Sequence, residues 1–140
     1  VSTLYFETSA FVKLLVNEAG SRTALAAWGG GFQMSTSPLL FVETRASLGA
    51  ARRGRRMTAE DFSEAERALR AMRADLNEVQ LDPALLTHAE ELAEWEALRG
   101  FDAVHLASAL FTEADLLVSA DAALIDAAER CGLAVIDART

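Results

Sequence analysis

Four acidic residues, Glu7, Glu43, Asp102 and Asp121, fall at or near the joints between apolar runs and helical patterns. Glu7 follows the run Thr3–Phe6, and Asp121 follows Leu116–Ala120. Glu43 lies inside the helical pattern that opens at Ser37-Pro38, and Asp102 opens another after Gly100. Carboxylates gathered at one point make a site for Mg²⁺ or Mn²⁺, hard cations that prefer oxygen ligands and keep several waters. Such an ion activates water, polarises a phosphoryl oxygen and offsets developing charge. Without it, the same carboxylates repel and raise one another's pKa.

Each acid also has a plainer role. Asp102 and Asp121 suit helix N-caps, and Glu43 suits a solvated helix face. Glu7 is harder to explain away, because a carboxylate ending a buried strand needs a partner. Singly none decides the matter; their meeting at one sheet edge would. His105, a lone histidine in an apolar helix, reads as packed rather than catalytic. Cys131 is the only cysteine, so no internal disulfide forms, and no Cys/His spacing fits zinc.

The elements that must position these side chains alternate short apolar runs with longer helical patterns, as in a parallel sheet flanked by helices. Strands are expected at Thr3–Phe6, Phe32–Ser35, Glu78–Leu81, Leu116–Ser119 and Ala134–Ile136. A first helix is expected over Ala10–Val16, with Thr8 and Ser9 as caps and Gly20 as its end. Ser21–Trp28 forms a second, stopped by Gly29-Gly30-Gly31. Ser37-Pro38 opens a third, running to the basic stretch Arg52, Arg53, Arg55 and Arg56. Thr58 opens a fourth, whose apolar stripe is Phe62, Ala65, Leu69, Met72 and Leu76. Asp82-Pro83 starts the next, which Arg99-Gly100 breaks; others follow from Asp102 to about Thr112 and over Asp121–Arg130. In open parallel sheets, ligands bind beyond the carboxyl ends of the strands, where strand order reverses. If the first and fourth strands adjoin there, Glu7 and Asp121 face one another.

A hydrophobic share of 51% in 140 residues is enough for one compact domain over residues 1–140. No apolar run approaches the roughly 18 residues that span a bilayer. The start VSTLYFETSA lacks the basic and apolar regions of a signal peptide, so a cytoplasmic protein with no membrane association is expected. The net charge of −8 argues against a protein that coats nucleic acid. It leaves a nuclease open, because a bound ion cancels the charge of clustered carboxylates. Arg52, Arg53, Arg55 and Arg56 suit either the end of a helix or contact with phosphate or a partner.

YFETSAFVKLL at 5–15, SPLLFVETRASL at 37–48, GFDAVHLASAL at 100–110 and LLVSADAAL at 116–124 together resemble a PIN domain, more narrowly a VapC-type toxin of a bacterial toxin–antitoxin pair. The resemblance covers essentially the whole chain. It implies a five-stranded parallel sheet in the order 3-2-1-4-5, Mg²⁺- or Mn²⁺-dependent endoribonuclease activity, a homodimer and a cognate antitoxin. Glu43, Asp102 and Asp121 match three acidic positions of that family. Ser119 matches a hydroxyl residue placed to orient a carboxylate or a water, and Ser9 matches the small hydroxyl residue after the first acid.

Glu7 departs from the pattern, which has Asp there. The extra methylene moves the carboxylate by about 1.5 Å, against a tolerance of roughly 0.2 Å in ligand distance. Glu7 must fold back, act through water or displace the ion, with weaker metal binding or slower turnover as the expected result. An alternative is therefore a PIN-fold protein that holds RNA or a partner with catalysis reduced. A phosphoacceptor signalling domain fits poorly, since no lysine follows the last strand. An antitoxin helix would find groove candidates at Phe11, Leu14, Leu15, Leu25, Trp28 and the 58–76 helix.

Overall fold

The computed structural model describes all 140 residues, Val1–Thr140. Five strands, β1 (Thr3–Phe6), β2 (Gln33–Thr36), β3 (Asn77–Glu78), β4 (Leu116–Ser119) and β5 (Ala134–Asp137), form one sheet in the order β3-β2-β1-β4-β5. Every neighbouring pair is parallel. Parallel strands need crossover connections, which the helices supply. These are α1 (Thr8–Phe11), α2 (Ser21–Trp28), α3 (Leu39–Arg53), α4 (Ala59–Arg73), α5 (Pro83–Trp95), α6 (Gly100–Phe111) and α7 (Ala122–Arg130).

Central strands covered on both faces must be apolar throughout, and Leu4, Tyr5 and Phe6 are each fully buried. The pleat sends alternate side chains to opposite faces and so builds two cores. Tyr5 and Leu117 join Leu85, Leu92, Leu106 and Leu124 beneath α5, α6 and α7. Leu4, Phe6 and Val118 join Phe11, Leu40, Phe41 and Leu69 beneath α1 to α4. Both central strands are thereby fixed in register, Leu4 against Leu116 and Phe6 against Val118. One step further, Glu7 N donates to Val118 O at 3.2 Å, so Glu7 leaves the sheet beside Ser119.

Several boundaries differ from the sequence expectations. The first helix begins at Thr8 and tightens after Phe11 into a 3₁₀ turn over Val12–Leu14, so it does not run on to Val16. Its cap is Glu7, whose side chain accepts from Ser9 N, in place of Thr8 or Ser9. Gly20 then turns with φ +87°, and a Cβ there would lie 1.8 Å from Ala138 O. That position requires glycine on both counts. β2 is displaced by one residue to Gln33–Thr36. β3 is only two residues long and exposed; Val79 N makes a last bond to Thr36 O at 2.9 Å, and beyond it the chain turns so that Val79 and Leu81 pack against the α5–α6 core. α6 begins at Gly100, with Arg99 as the extended residue before it, so Asp102 sits inside the first turn and is not the cap.

Candidate active site

Where β1 ends, the extended backbone of Glu7 turns its carboxylate back over the first turn of α1. Oε2 accepts from Ser9 N at 2.6 Å, and Oε1 accepts from Ser119 Oγ at 2.8 Å and from Ser9 Oγ. The two serines face both ways. Ser9 Oγ accepts from Ala120 N at 2.8 Å, and Ser119 Oγ accepts from Asp121 N at 3.0 Å. Glu7 is thus tied across β1 and β4 to the loop that starts α7. It is 4% exposed. Burial pushes its pKa above the ordinary glutamate value, against the lowering effects of His105 and of the Ser9 and Ser119 hydrogen bonds.

Glu43 comes from the second turn of α3, and its Oε1 takes two short hydrogen bonds. Thr8 Oγ1 donates at 2.6 Å and His105 Nε2 stands at 2.6 Å. On the far side of the ring, His105 Nδ1 lies 2.8 Å from Tyr5 Oη. A nitrogen facing a carboxylate is the N–H bearing one, so a neutral ring leaves Nδ1 to accept from the tyrosine hydroxyl. Tyr5 and His105 are 0% and 1% exposed, so this relay runs from the core to the site. Burial pushes Glu43 upward, but the His105 and Thr8 hydrogen bonds, with the charge of Arg99 nearby, outweigh it, and the pKa lies below the usual value. The second oxygen, Oε2, makes no hydrogen bond within the protein.

Asp102 and Asp121 form the third part, and Arg99 joins them. Asp121 caps α7 through Oδ1, which accepts from Leu124 N at 3.0 Å, while its Oδ2 takes Arg99 Nη2 at 3.3 Å. Arg99 Nε donates to Asp102 Oδ2 at 3.2 Å. Side-chain exposure is 12% for Asp102 and 24% for Asp121, against 81% for Arg99. Burial, and next the charge of Asp121, raise the Asp102 pKa despite Arg99. Two carboxylates held apart by one guanidinium is the arrangement expected where like charges share a small space.

All four acids and both serines therefore lie around the carboxyl ends of β1 and β4, but they do not close into a single ligand sphere. No three His, Cys, Asp or Glu side chains surround one point closely enough to hold a metal ion. The donors themselves suit a hard divalent cation: Asp102 and Asp121 already share one cation, and Glu43 keeps a free oxygen. Glu7 does not suit it in this conformation, because donors occupy both of its oxygens. Arg52, Arg53, Arg55 and Arg56 stay apart from this edge. Arg52 and Arg53 end α3, and Arg55 and Arg56 lie in the turn before α4, with Arg52 stacked 4.9 Å over Phe62. Along α3, Arg52 is about 13 Å beyond Glu43 at 1.5 Å per residue.

Three participants escaped the sequence reading. Arg99 read only as a helix breaker, Thr8 as a cap, and His105 as packing. The one available signal for His105 was its spacing of three from Asp102, which puts both on one helix face. His105 is indeed packed, and it also holds Glu43.

A family model described as the PIN domain matches residues 4–130. Two ribonucleases of Mycobacterium tuberculosis, VapC45 of strain CDC 1551 / Oshkosh and VapC49 of strain ATCC 25618 / H37Rv, are each 46% identical over 107 residues, which is 76% of this chain and 74% of theirs. Among solved structures, PAE2754 from Pyrobaculum aerophilum superposes with a TM-score of 0.69 at 17% identity, covering 97% of this chain and 91% of that one. FitAcB from Neisseria gonorrhoeae gives 0.71 at 13% identity, covering 97% and 98%. A toxin–antitoxin complex from Klebsiella pneumoniae gives 0.62 at 19% identity, covering 84% and 86%. At these identities the structural likenesses speak for the fold alone.

Proposed function

The chain belongs to the PIN-domain family, and from that premise we propose that it is a VapC-type endoribonuclease, the toxin of a toxin–antitoxin pair, which hydrolyses RNA phosphodiesters with Mg²⁺ or Mn²⁺. The observation that carries this reading is the Asp102–Asp121 pair, two carboxylates sharing one cationic group at the reversal of strand order. Asp102 and Asp121 would hold the ion, with Glu43 offering Oε2 directly or through water. A divalent ion bound there supplies charge neutralisation and water activation.

The chain's own residues do the positioning. Thr8 and His105 fix Glu43 by one oxygen and leave the other without a hydrogen bond. Ser119 joins Glu7 to the backbone of Asp121, so the last acid is held where α7 begins. Leu124 N fixes the second oxygen of Asp121.

Partners follow from the same reading. The groove of about 500 Å³ between the 3₁₀ turn and α4, with Leu14, Leu15, Met57 and Ala65 beside Arg56, Asp61 and Glu64, is where an antitoxin helix would seat. The 46% identity to VapC ribonucleases supports RNA as the substrate. The exposed Trp95, Phe101 and Phe111 on α5 and α6 support a homodimer. No helix is long and apolar enough to cross a membrane, and a cytoplasmic site of action is part of the proposal. One observation favours a second reading, an RNA- or partner-binding protein with catalysis reduced: Glu7 is fully engaged by Ser9 and Ser119.

The deciding experiment incubates structured RNA with the chain and with Asp102→Asn, each with Mn²⁺ and with EDTA. Cleavage by the parent that needs Mn²⁺ and falls at least about 100-fold in the variant is expected. Cleavage that survives in EDTA or in Asp102→Asn would refute metal-dependent hydrolysis at this site. RNA binding without cleavage would transfer the conclusion to the second reading.

A further inference from the structure

Arg99 makes the only salt bridges to Asp102 and Asp121, and hydrolysis at those acids gives its guanidinium no role of its own. We propose that Arg99 is the site's resident cation: it neutralises Asp102 and Asp121, competes with the divalent ion for both, and on displacement turns its guanidinium to the phosphate of the RNA. This presupposes that the chain cleaves RNA with a divalent ion held by those two acids.

Three features carry the inference. The contacts are single-pronged and long, Nε to Asp102 at 3.2 Å and Nη2 to Asp121 at 3.3 Å. Charge-assisted pairs normally run at about 2.7–2.9 Å, as Arg130 Nε does with Glu96 at 2.7 Å. The side chain is also 81% exposed, so leaving the carboxylates uncovers little and needs no rearrangement of the core. Meanwhile the two acids it bridges are mostly buried, with side-chain exposures of 12% and 24%, and both reach the same guanidinium, so their like charges lie close together. They need a positive charge at all times, and a divalent ion outbids a weakly held monovalent one.

Displacement does not remove Arg99 from the site. Its backbone is fixed as the extended residue before α6, one turn from Asp102. A released guanidinium therefore stays beside Asp102 and Asp121. An incoming phosphodiester is the anion that meets it, and the planar fork of arginine matches phosphate oxygens in pairs. Arginine is better suited to this exchange than lysine, because its fork reaches the two carboxylates through different nitrogens and then pairs with two phosphate oxygens at once.

The test measures Mn²⁺ affinity by calorimetry at fixed ionic strength, and RNA cleavage at saturating Mn²⁺, for the parent, Arg99→Ala, Arg99→Lys and Asp102→Asn. Thermal melting of the metal-free proteins verifies that each is folded. Arg99→Ala should bind Mn²⁺ about three- to tenfold more tightly and yet cleave at least about tenfold more slowly, with Arg99→Lys between it and the parent. A residue that merely supported the structure would lose affinity and activity together. Equal or weaker Mn²⁺ binding by Arg99→Ala, with Asp102→Asn losing the ion, overturns the competition while leaving the ribonuclease reading intact. Tighter binding with unchanged cleavage overturns the phosphate role. If Asp102→Asn binds Mn²⁺ as well as the parent, the metal site and the role of Arg99 both fall.

Discussion

Glu7→Asp separates stability from metal binding and should move them in opposite directions. In the parent, the Glu7 carboxylate reaches Ser9 N at 2.6 Å and Ser119 Oγ at 2.8 Å with both oxygens engaged. Removing a methylene withdraws the carboxylate by about 1.5 Å. The local contact to Ser9 survives, because Asp is a preferred N-cap for the same backbone geometry. The contact across the sheet to Ser119 does not. Losing a hydrogen bond to a buried charge, together with one buried methylene, destabilises the metal-free protein by about 2 kcal/mol. For a chain of this size that lowers Tm by roughly 8 °C.

Metal binding should change the other way. Glu7 can reach an ion only by giving up a charge-assisted hydrogen bond, which opposes binding by about 1.5 kcal/mol or more. The aspartate has already lost that bond, so Mn²⁺ should bind about tenfold more tightly. Melting in EDTA, Mn²⁺ calorimetry and RNA cleavage by the two proteins measure all three quantities. Lower Tm, tighter Mn²⁺ binding and faster cleavage together are the expected signature. Mn²⁺ affinity and cleavage both unchanged in Glu7→Asp would refute the view that Glu7 attenuates the site.

Three further outcomes test the relay under Glu43. Tyr5 is the only tyrosine, and burial pushes its phenol far above the usual value of about 10. A raised folded-state pKa means that the unfolded chain ionises first, so stability is lost as pH rises above about 10. Tyrosinate absorbance should appear only with the unfolding transition; ionisation near pH 10 in a chain still folded by circular dichroism would contradict the buried relay. His105→Leu leaves Tyr5 and Glu43 without their buried partner and should destabilise by about 2–4 kcal/mol, part of which His105→Leu with Tyr5→Phe recovers. His105→Gln, which retains a donor towards Glu43, should keep more cleavage than His105→Leu. Strict additivity of the Tyr5 and His105 substitutions in denaturant melts would show that the two do not act as one unit.

What could be read from the sequence follows a physical division between backbone and side chain. Leu4, Tyr5 and Phe6 form a run buried on both faces, too short for a buried helix and as a covered parallel strand requires, so β1 and its acidic end were legible. The same holds for Leu116–Ser119 and Asp121. β3 is shorter than the pattern predicts because Val79 and Leu81 alternate like a strand, while their side chains serve the α5–α6 core and the backbone makes its last bond to β2 at Val79 N. Periodicity reports which side chains are buried and is silent on what the backbone pairs with.

The site divides along the same line. Acids at strand ends were visible because strand ends fix where Cα atoms lie. The partners of those acids were not, since each partnership depends on the direction of a long side chain. Thr8 is adjacent to Glu7 in the chain, yet it bonds Glu43 on another element. Arg99 precedes α6 as an apparent helix breaker, and only its rotamer carries the guanidinium to Asp121, 22 residues away. These directions are also what a bound ion would change first. The acidic scaffold is therefore set by the fold, and the chemistry rests on how Ser9, Ser119, His105 and Arg99 share out four carboxylates that cannot all stay charged and unpartnered in so small a space.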